Sequence, residues 1–390
     1  MKNIFGFTKE DLLKLKATYT AEEIYQQPKL WKETFKIIEN NKNEIKNFLN
    51  KNLDKHNLKI ILTGAGTSAY VGDTIYLHLS KTLGKKVYAI PTTDFVANPD
   101  QYIDEKGHTI LVSYARSGNS PESVGTYDIF EKKVKNLSHI VITCNKNGEL
   151  AKKANKNNGN LVLLMPEKSN DKSFAMTSSF TCMTLATLLL FDIDNLEENK
   201  KIVNELVSNG EKALNTQWKD ALELSNLGTE RIVYLGSGAL KGLCNEMALK
   251  NLELTSGKQV TVCESILGFR HGPKSIINDK TLVIFLCSND DYTSLYDYDL
   301  IKEVYNDLGN QKVALLTYID KENLKDVSHK YISAKGSKLE DVFIAFNYIL
   351  FGQMISLFNS LRLGISPDNP RPDGTVNRVV QGVTIHEYNN

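Results

Sequence analysis

The 390-residue chain lacks the features that mark several specialised classes of protein. Its five cysteines (Cys144, Cys182, Cys244, Cys263 and Cys287) form no CxxC pair, are odd in number and lie far apart. That excludes a disulfide framework and predicts reduced core thiols in a cytoplasmic protein. The net charge is only +1, so a polyanion such as nucleic acid is not an expected partner. The start, MKNIFGFTKEDLLKLK, scatters charges through itself and has no signal-peptide pattern. No apolar run reaches membrane-spanning length; the best, MTLATLLLF at 183–191, is too short, and no membrane partner is expected. No His, Asp and Glu cluster has metal-ligand spacing, so neither a metal nor another cofactor is expected.

What remains is an ordinary globular composition, 41% hydrophobic and 24% charged, in a chain too long for one ordinary core. Residues 1–50 read as a helical segment, with Thr8 and Asp11 spaced as a capping box. Short β-rich runs follow at 59–64, 86–90, 109–113, 139–143 and 160–165. Helical stretches lie between them, one ending at Gly84 and others at 147–156 and 175–192. Strands alternating with helices predict a parallel sheet covered on both faces. Residues 194–228 are polar and helix-prone, a helical linker. The pattern then restarts: RIVYLGSG at 231–238 resembles IILTGAGT at 60–67. Further strands are expected at 258–262, 281–287, 312–318 and 330–334, and a long apolar helix at 339–361. The chain reads as an internal duplication of one α/β unit. The predicted divisions are 1–50, a first α/β domain at 51–193, the linker, a second at 229–365, and a tail at 366–390. The tail begins rich in Pro, Asp, Asn and Gly, so it is either a disordered end or a strap lying over something.

Two turns of the first repeat carry chemistry. Gly64-Ala65-Gly66-Thr67-Ser68-Ala69 follows a strand and opens a helix, formally a GxGxxA dinucleotide fingerprint. The acid expected at the end of the next strand is missing there, with Asp94 late, so a phosphate or sugar contact through Thr67 and Ser68 is the preferred reading. Arg116-Ser117-Gly118-Asn119-Ser120, before Pro121, combines a guanidinium, hydroxyls and a helix N-terminus, the chemistry of a phosphate cradle. In the second repeat, Glu246, Lys250 and Glu253 are spaced i, i+4, i+7 on one helix face, against a stripe of Leu243, Met247 and Leu254. Spacing alone favours an exposed ion-pair ladder; the preceding Gly-x-Gly turn favours a ligand edge. Phe269-Arg270-His271-Gly272-Pro273 sets a histidine in a rigid, accessible turn where it would titrate near neutrality.

Together these residues resemble the sugar isomerase (SIS) family in its double-domain arrangement. GAGTSAY with SYARSGNSPE is similar to the family's phosphate-binding pair, and LGSGALKGLCNEMALKNLEL with GFRHGP to the isomerase half of glucosamine-6-phosphate synthase. EIYQQPKLW, GFRHGPKS and NPRPDGTVNRVVQGV resemble the group described as tagatose-6-phosphate ketose/aldose isomerase or galactosamine-6-phosphate deaminase. The resemblance implies two tandem flavodoxin-like α-β-α units. It implies that Ser68, Ser117 and Ser120 hold a 6-phosphate with Thr67 and Arg116, and that Glu253, one turn after Lys250, moves a proton between C1 and C2. His271 would assist ring opening from a neighbouring subunit, making a homodimer the minimum active unit, and the tail would cover the active site. The synthase's imine-forming lysine has no counterpart, since the tail reads Val380-Gln381-Gly382, and the glutamine-hydrolysing domain is absent. Deamination of a 2-amino-2-deoxyhexose 6-phosphate, best galactosamine 6-phosphate, is therefore the expected activity, with plain aldose–ketose isomerisation or sugar-phosphate sensing as alternatives. Arg371, Arg378 and His386 in the tail receive no role.

Overall fold

The computed structural model describes residues 3–380 and 382–388; Gln381 of the tail lies outside the described residues. Four helices come first: α1 (Lys9–Lys14), α2 (Thr18–Tyr25), α3 (Gln27–Asn40) and α4 (Lys42–Asn52). Thr8 caps α1, its hydroxyl accepting the Asp11 N–H while Asp11 accepts the Thr8 N–H, so the capping box forms. Then follow β1 (Lys59–Thr63), α5 (Thr67–Leu83), β2 (Lys86–Ala89), α6 (Thr92–Ala97), α7 (Pro99–Tyr102), β3 (Thr109–Ala115) and α8 (Pro121–Lys133). The first sheet is completed by β4 (Leu137–Thr143), α9 (Glu149–Ala154) and β5 (Leu161–Leu164). Three helices, α10 (Ser178–Phe191), α11 (Leu196–Lys212) and α12 (Trp218–Asn226), lead to β6 (Arg231–Leu235), α13 (Ala239–Leu254) and β7 (Val260–Glu264). The remainder is β8 (Thr281–Leu286), α14 (Thr293–Asn306), β9 (Lys312–Thr317), β10 (Lys330–Ser333) and α15 (Asp341–Arg362).

The strands form two five-stranded parallel sheets, ordered β2-β1-β3-β4-β5 and β7-β6-β8-β9-β10. Numbered within its own sheet, each order is 2-1-3-4-5, the flavodoxin-like order, with its topological switch point between the first and third strands. One offset of 172 residues carries Lys59 onto Arg231, Thr67 onto Ala239, Thr109 onto Thr281 and Pro121 onto Thr293. The registers agree, Lys59 pairing with Thr109 and Arg231 with Thr281. Duplication is thus written in the hydrogen-bond ladders as well as in the sequence.

The chain divides into two compact units. The first sheet belongs with Lys29–Asp171, Met176–Val203 and Asp373–Asn390, and the second with Met1–Pro28, Lys172–Ala175 and Asn204–Pro372. The second unit is built around α15, all but a few of whose residues are buried. The expectation that no segment is long and apolar enough to span a membrane is corrected here. α15 has 22 residues and a mean hydropathy of 1.5 in its most apolar window. That window is 89% buried within the protein, and two of its polar side chains are bonded there: Gln353 Oε1 accepts from Gln27 Nε2 at 2.6 Å, and Tyr348 Oη donates to the Cys287 carbonyl at 2.8 Å.

Candidate functional site

Strands β1 and β3 run side by side, Thr63 level with Ser113, so the turns that follow them emerge together at the carboxyl edge of the first sheet. Gly66 adopts φ 56° and ψ −128°, a region open to glycine, and lets α5 start directly off β1. A Cβ on Gly64 would lie 2.6 Å from the Ser68 carbonyl carbon, so strand and helix meet with no room for a side chain. Thr67 and Ser68 are buried at the start of α5, and the Ser68 hydroxyl lies 3.9 Å from the Met176 sulfur.

The partner loop is braced from its far side. Asn145 Nδ2 donates to the Ser117 carbonyl at 2.8 Å, and the Leu150 N–H to the Gly118 carbonyl at 3.0 Å. Asn119 Oδ1 accepts the Glu149 N–H at 3.0 Å. These bonds turn two loop carbonyls toward the β4–α9 connection, as an anion cradle requires when its donors must face the ligand. The Ser117 hydroxyl accepts the Asn119 N–H at 3.3 Å, and Ser120 precedes Pro121 without spending its hydroxyl as a cap for α8. Arg116 is buried beneath the loop, and its Nη2 donates to the Arg378 carbonyl at 2.6 Å. Arg378 Nε in turn donates to the Asp171 carbonyl at 3.0 Å. Farther along the tail, the Tyr388 hydroxyl accepts from Lys133 at 2.8 Å, and Ile385 packs against Gly125. The described part of the tail from Asp373 on is therefore a strap across the first unit, fastened directly to the serine loop.

The same edge of the second sheet is built differently. Gly238 repeats the Gly66 conformation with φ 57° and ψ −124°, but the offset sets Ala239 and Leu240 in place of Thr67 and Ser68. Opposite, Ser288-Asn289-Asp290-Asp291 replaces Arg116-Ser117-Gly118-Asn119. The Ser288 N–H donates to Asp297 Oδ2 at 2.7 Å, its hydroxyl to Asp341 Oδ2 at 2.5 Å, and the Asn289 N–H to Asp341 Oδ1 at 2.8 Å. The chain's own carboxylates take these donors. Burial pushes the Asp297 carboxyl up to about 7 and raises that of Asp341 as well.

The acidic face of α13 is not an exposed ladder. Lys250 and Glu246 are fully buried and Glu253 retains 24% of its side-chain exposure. Lys250 Nζ is hydrogen-bonded to Glu253 Oε2 and lies 3.5 Å from Glu246 Oε1. A buried ammonium needs such compensation, and two carboxylates one turn away on either side supply it. The end of α13 is also fixed by an amide chain. Ser225 donates to Asn359 Oδ1 at 2.8 Å, Asn359 to Asn251 Oδ1 at 3.0 Å, Asn251 to Gln259 Oε1 at 2.9 Å, and Gln259 to the Thr229 carbonyl at 2.7 Å. Close packing of α13 on α15 depends on Gly352, where a Cβ would meet Met247 Cγ at 2.7 Å.

His271 is placed elsewhere. It is exposed on the β7–β8 crossover, its N–H donating to the Gly268 carbonyl at 3.0 Å. The crossover packs through Ile266 and Phe269 on Val233, Leu235, Val283 and Phe285, together with α14. Tyr234 points to the other face, toward Cys244 on α13 and Ser356 on α15. His271 and the Lys250–Glu253 pair therefore sit on elements that pack against opposite faces of one sheet. Sequence spacing did not single out Asn145, Asp171, Met176, Asn251 or Asn359. Nor did it single out Glu122, buried in the first turn of α8 with an Oε2 lacking a hydrogen-bond partner among the described residues.

Comparison with known proteins gives this geometry a family. Residues 53–193 match the SIS domain. A D-galactosamine-6-phosphate deaminase AgaS from Shewanella sp. (strain ANA-3) is 41% identical over 382 residues, 97% of this chain and 94% of that protein. The chain belongs to the SIS-domain family. Among solved SIS structures, one provisionally named a tagatose-6-phosphate ketose/aldose isomerase, from Clostridium novyi NT, superposes over the whole of both chains with a TM-score of 0.97 and 45% identity. The tagatose-6-phosphate ketose/aldose isomerase of Escherichia coli matches with a TM-score of 0.87 and 36% identity, over 95% of this chain and 98% of its own.

Proposed function

We propose that this SIS protein is a sugar-phosphate deaminase/isomerase that converts galactosamine 6-phosphate and water to tagatose 6-phosphate and ammonia. The observation that carries this conclusion is Lys250, buried between Glu246 and Glu253 while Glu253 alone of the three reaches solvent. That is a carboxylate held in place and able to reach a ligand, as a proton-transfer residue must be. The names of the Shewanella and Escherichia coli relatives support the substrate class.

In this scheme Ser68, Ser117, Ser120 and Thr67 hold the phosphate, and binding energy far from the reacting carbons orients them. Arg116 contributes by tethering the tail as well as by its charge. His271 moves the anomeric and ring-oxygen protons as the pyranose opens. Glu253 removes the C2 proton of the open aldehyde, giving an enolamine, and returns a proton to C1. The resulting C2 ketimine adds water and releases ammonia, leaving the ketose. Lys250 keeps Glu253 oriented. Because His271 and Glu253 sit on elements that pack against opposite faces of a sheet, we assign them to different copies in a homodimer with shared sites. Five free cysteines accord with a cytoplasmic location.

Incubation of the purified protein with galactosamine 6-phosphate, glucosamine 6-phosphate and tagatose 6-phosphate, with ammonia and ketose measured, tests the proposal. Ammonia from galactosamine 6-phosphate is the expected result. Ammonia from none, with aldose and ketose interconverted, would reassign the protein as a plain isomerase.

A further inference from the structure

The loop bearing His271 is closed by a residue of another element. Glu303 lies on α14, and its two carboxylate oxygens hold the two ends of the pentapeptide Arg270-His271-Gly272-Pro273-Lys274. Arg270 Nε donates to Glu303 Oε2 at 2.8 Å, with Nη2 2.7 Å from the same oxygen. Lys274 Nζ donates to Glu303 Oε1 at 2.5 Å and lies 2.7 Å from Asp307 Oδ2. Lys274 and Arg270 hold the Glu303 carboxyl below its usual range, so it stays ionised where it bridges them.

The backbone within this ring has little freedom. Phe269 is fully buried beneath it, Gly272 takes φ +119°, and Pro273 fixes the next residue. His271 is the ring's projecting side chain: exposed, and between the two tied positions. For stability such a device is unneeded, since an exposed ion pair contributes about 0–1 kcal/mol. For a side chain that must meet a substrate held by another copy, orientation matters far more, because a displacement of about 1 Å lowers rates about a hundredfold.

We propose that Glu303 is a positioning residue for the reaction: by bridging Arg270 and Lys274 it fixes the direction in which His271 is presented. The proposal rests on the role given to His271 above. The test compares Glu303→Gln, Glu303→Asp, Lys274→Met, His271→Asn and the double variant His271→Asn/Glu303→Gln, reading kcat, KM and melting temperature with galactosamine 6-phosphate. Glu303→Gln is expected to lower kcat about ten- to a hundredfold with KM nearly unchanged. Glu303→Asp recovers part of the rate, and Lys274→Met, which cuts one tie, falls part of the way. In the His271→Asn background, Glu303→Gln adds no further loss. A wild-type kcat for Glu303→Gln while His271→Asn is impaired would overturn the role of Glu303 alone. The same would follow from an equal loss with and without His271. A wild-type rate for His271→Asn would instead overturn the role of His271, and this proposal with it.

Discussion

Glu253 and His271 sit on elements that pack against opposite faces of the second sheet. α13 meets the face carrying Tyr234, and the crossover bearing His271 meets the face carrying Val233 and Leu235. Alternation along one strand is enough to separate them, because neighbouring residues of β6 point to opposite sides. In the proposed shared site they come from two copies. Glu253→Gln and His271→Asn proteins, each inactive alone, should regain activity when co-refolded. Random pairing makes half the dimers mixed with one intact site each, so about a quarter of the wild-type rate is expected. No regain in verified mixed dimers would show that each copy works alone.

Removing the charge of Glu253 without its shape separates chemistry from binding. Glu253→Gln should lower ammonia release about a hundred- to ten-thousandfold while sugar-phosphate affinity, measured by calorimetry, stays within a few-fold of wild type. A near-normal rate would remove Glu253 from the mechanism.

Arg116 is the one cation of the serine loop, yet it also donates to the Arg378 carbonyl, 262 residues away in sequence. Arg116→Ala should therefore do two things at once. It should raise KM for the sugar phosphate, and it should expose the tail to protease between residues 373 and 388. Arg378→Ala, which breaks the Asp171 tie and leaves Arg116 in place, should loosen the tail with a smaller change in KM. Equal protection of the tail in both variants would mean that the strap is held elsewhere.

Asp297 predicts a dependence of stability on pH. Its folded pKa of about 7 stands above the unfolded value of an aspartate, so the folded state binds the extra proton. Stability from this group is present at low pH and is lost as pH rises through about 4 to 7, by an amount on the order of 4 kcal/mol. Asp297→Asn keeps an acceptor for the Ser288 N–H and cannot ionise. Its stability relative to wild type, measured by urea denaturation, should increase across that window and level off above it. Parallel curves for the two proteins would show that Asp297 ionises without penalty.

The ten strands were legible because each is a short apolar run bounded by polar or glycine residues. β7 lies two residues later than its pattern implied, since Lys258 and Gln259 precede the first register pair, Arg231 with Val260. α14 escaped notice: its start depends on Asp290 accepting the Thr293 N–H, and its apolar spacing is broken by tyrosines and aspartates. The face of α13 was legible as a face, because i, i+4, i+7 spacing defines one. Its burial was not, because burial depends on α15, which begins at Asp341, far along the chain. The Arg116–Arg378 bond and the amide chain from Ser225 to Gln259 join residues with no shared period, and no local pattern announces them.

Gly352 has no functional group, yet α13 can approach α15 as it does only because nothing projects there toward Met247. Met247 is next to Glu246 and one turn before Lys250. Any side chain at 352 would press on Met247, beside the buried Glu246–Lys250 pair, without altering a single titrating group. Variation at that position would then surface as a change in reactivity with no chemical cause in view, a mutation whose phenotype belongs to a residue it does not resemble.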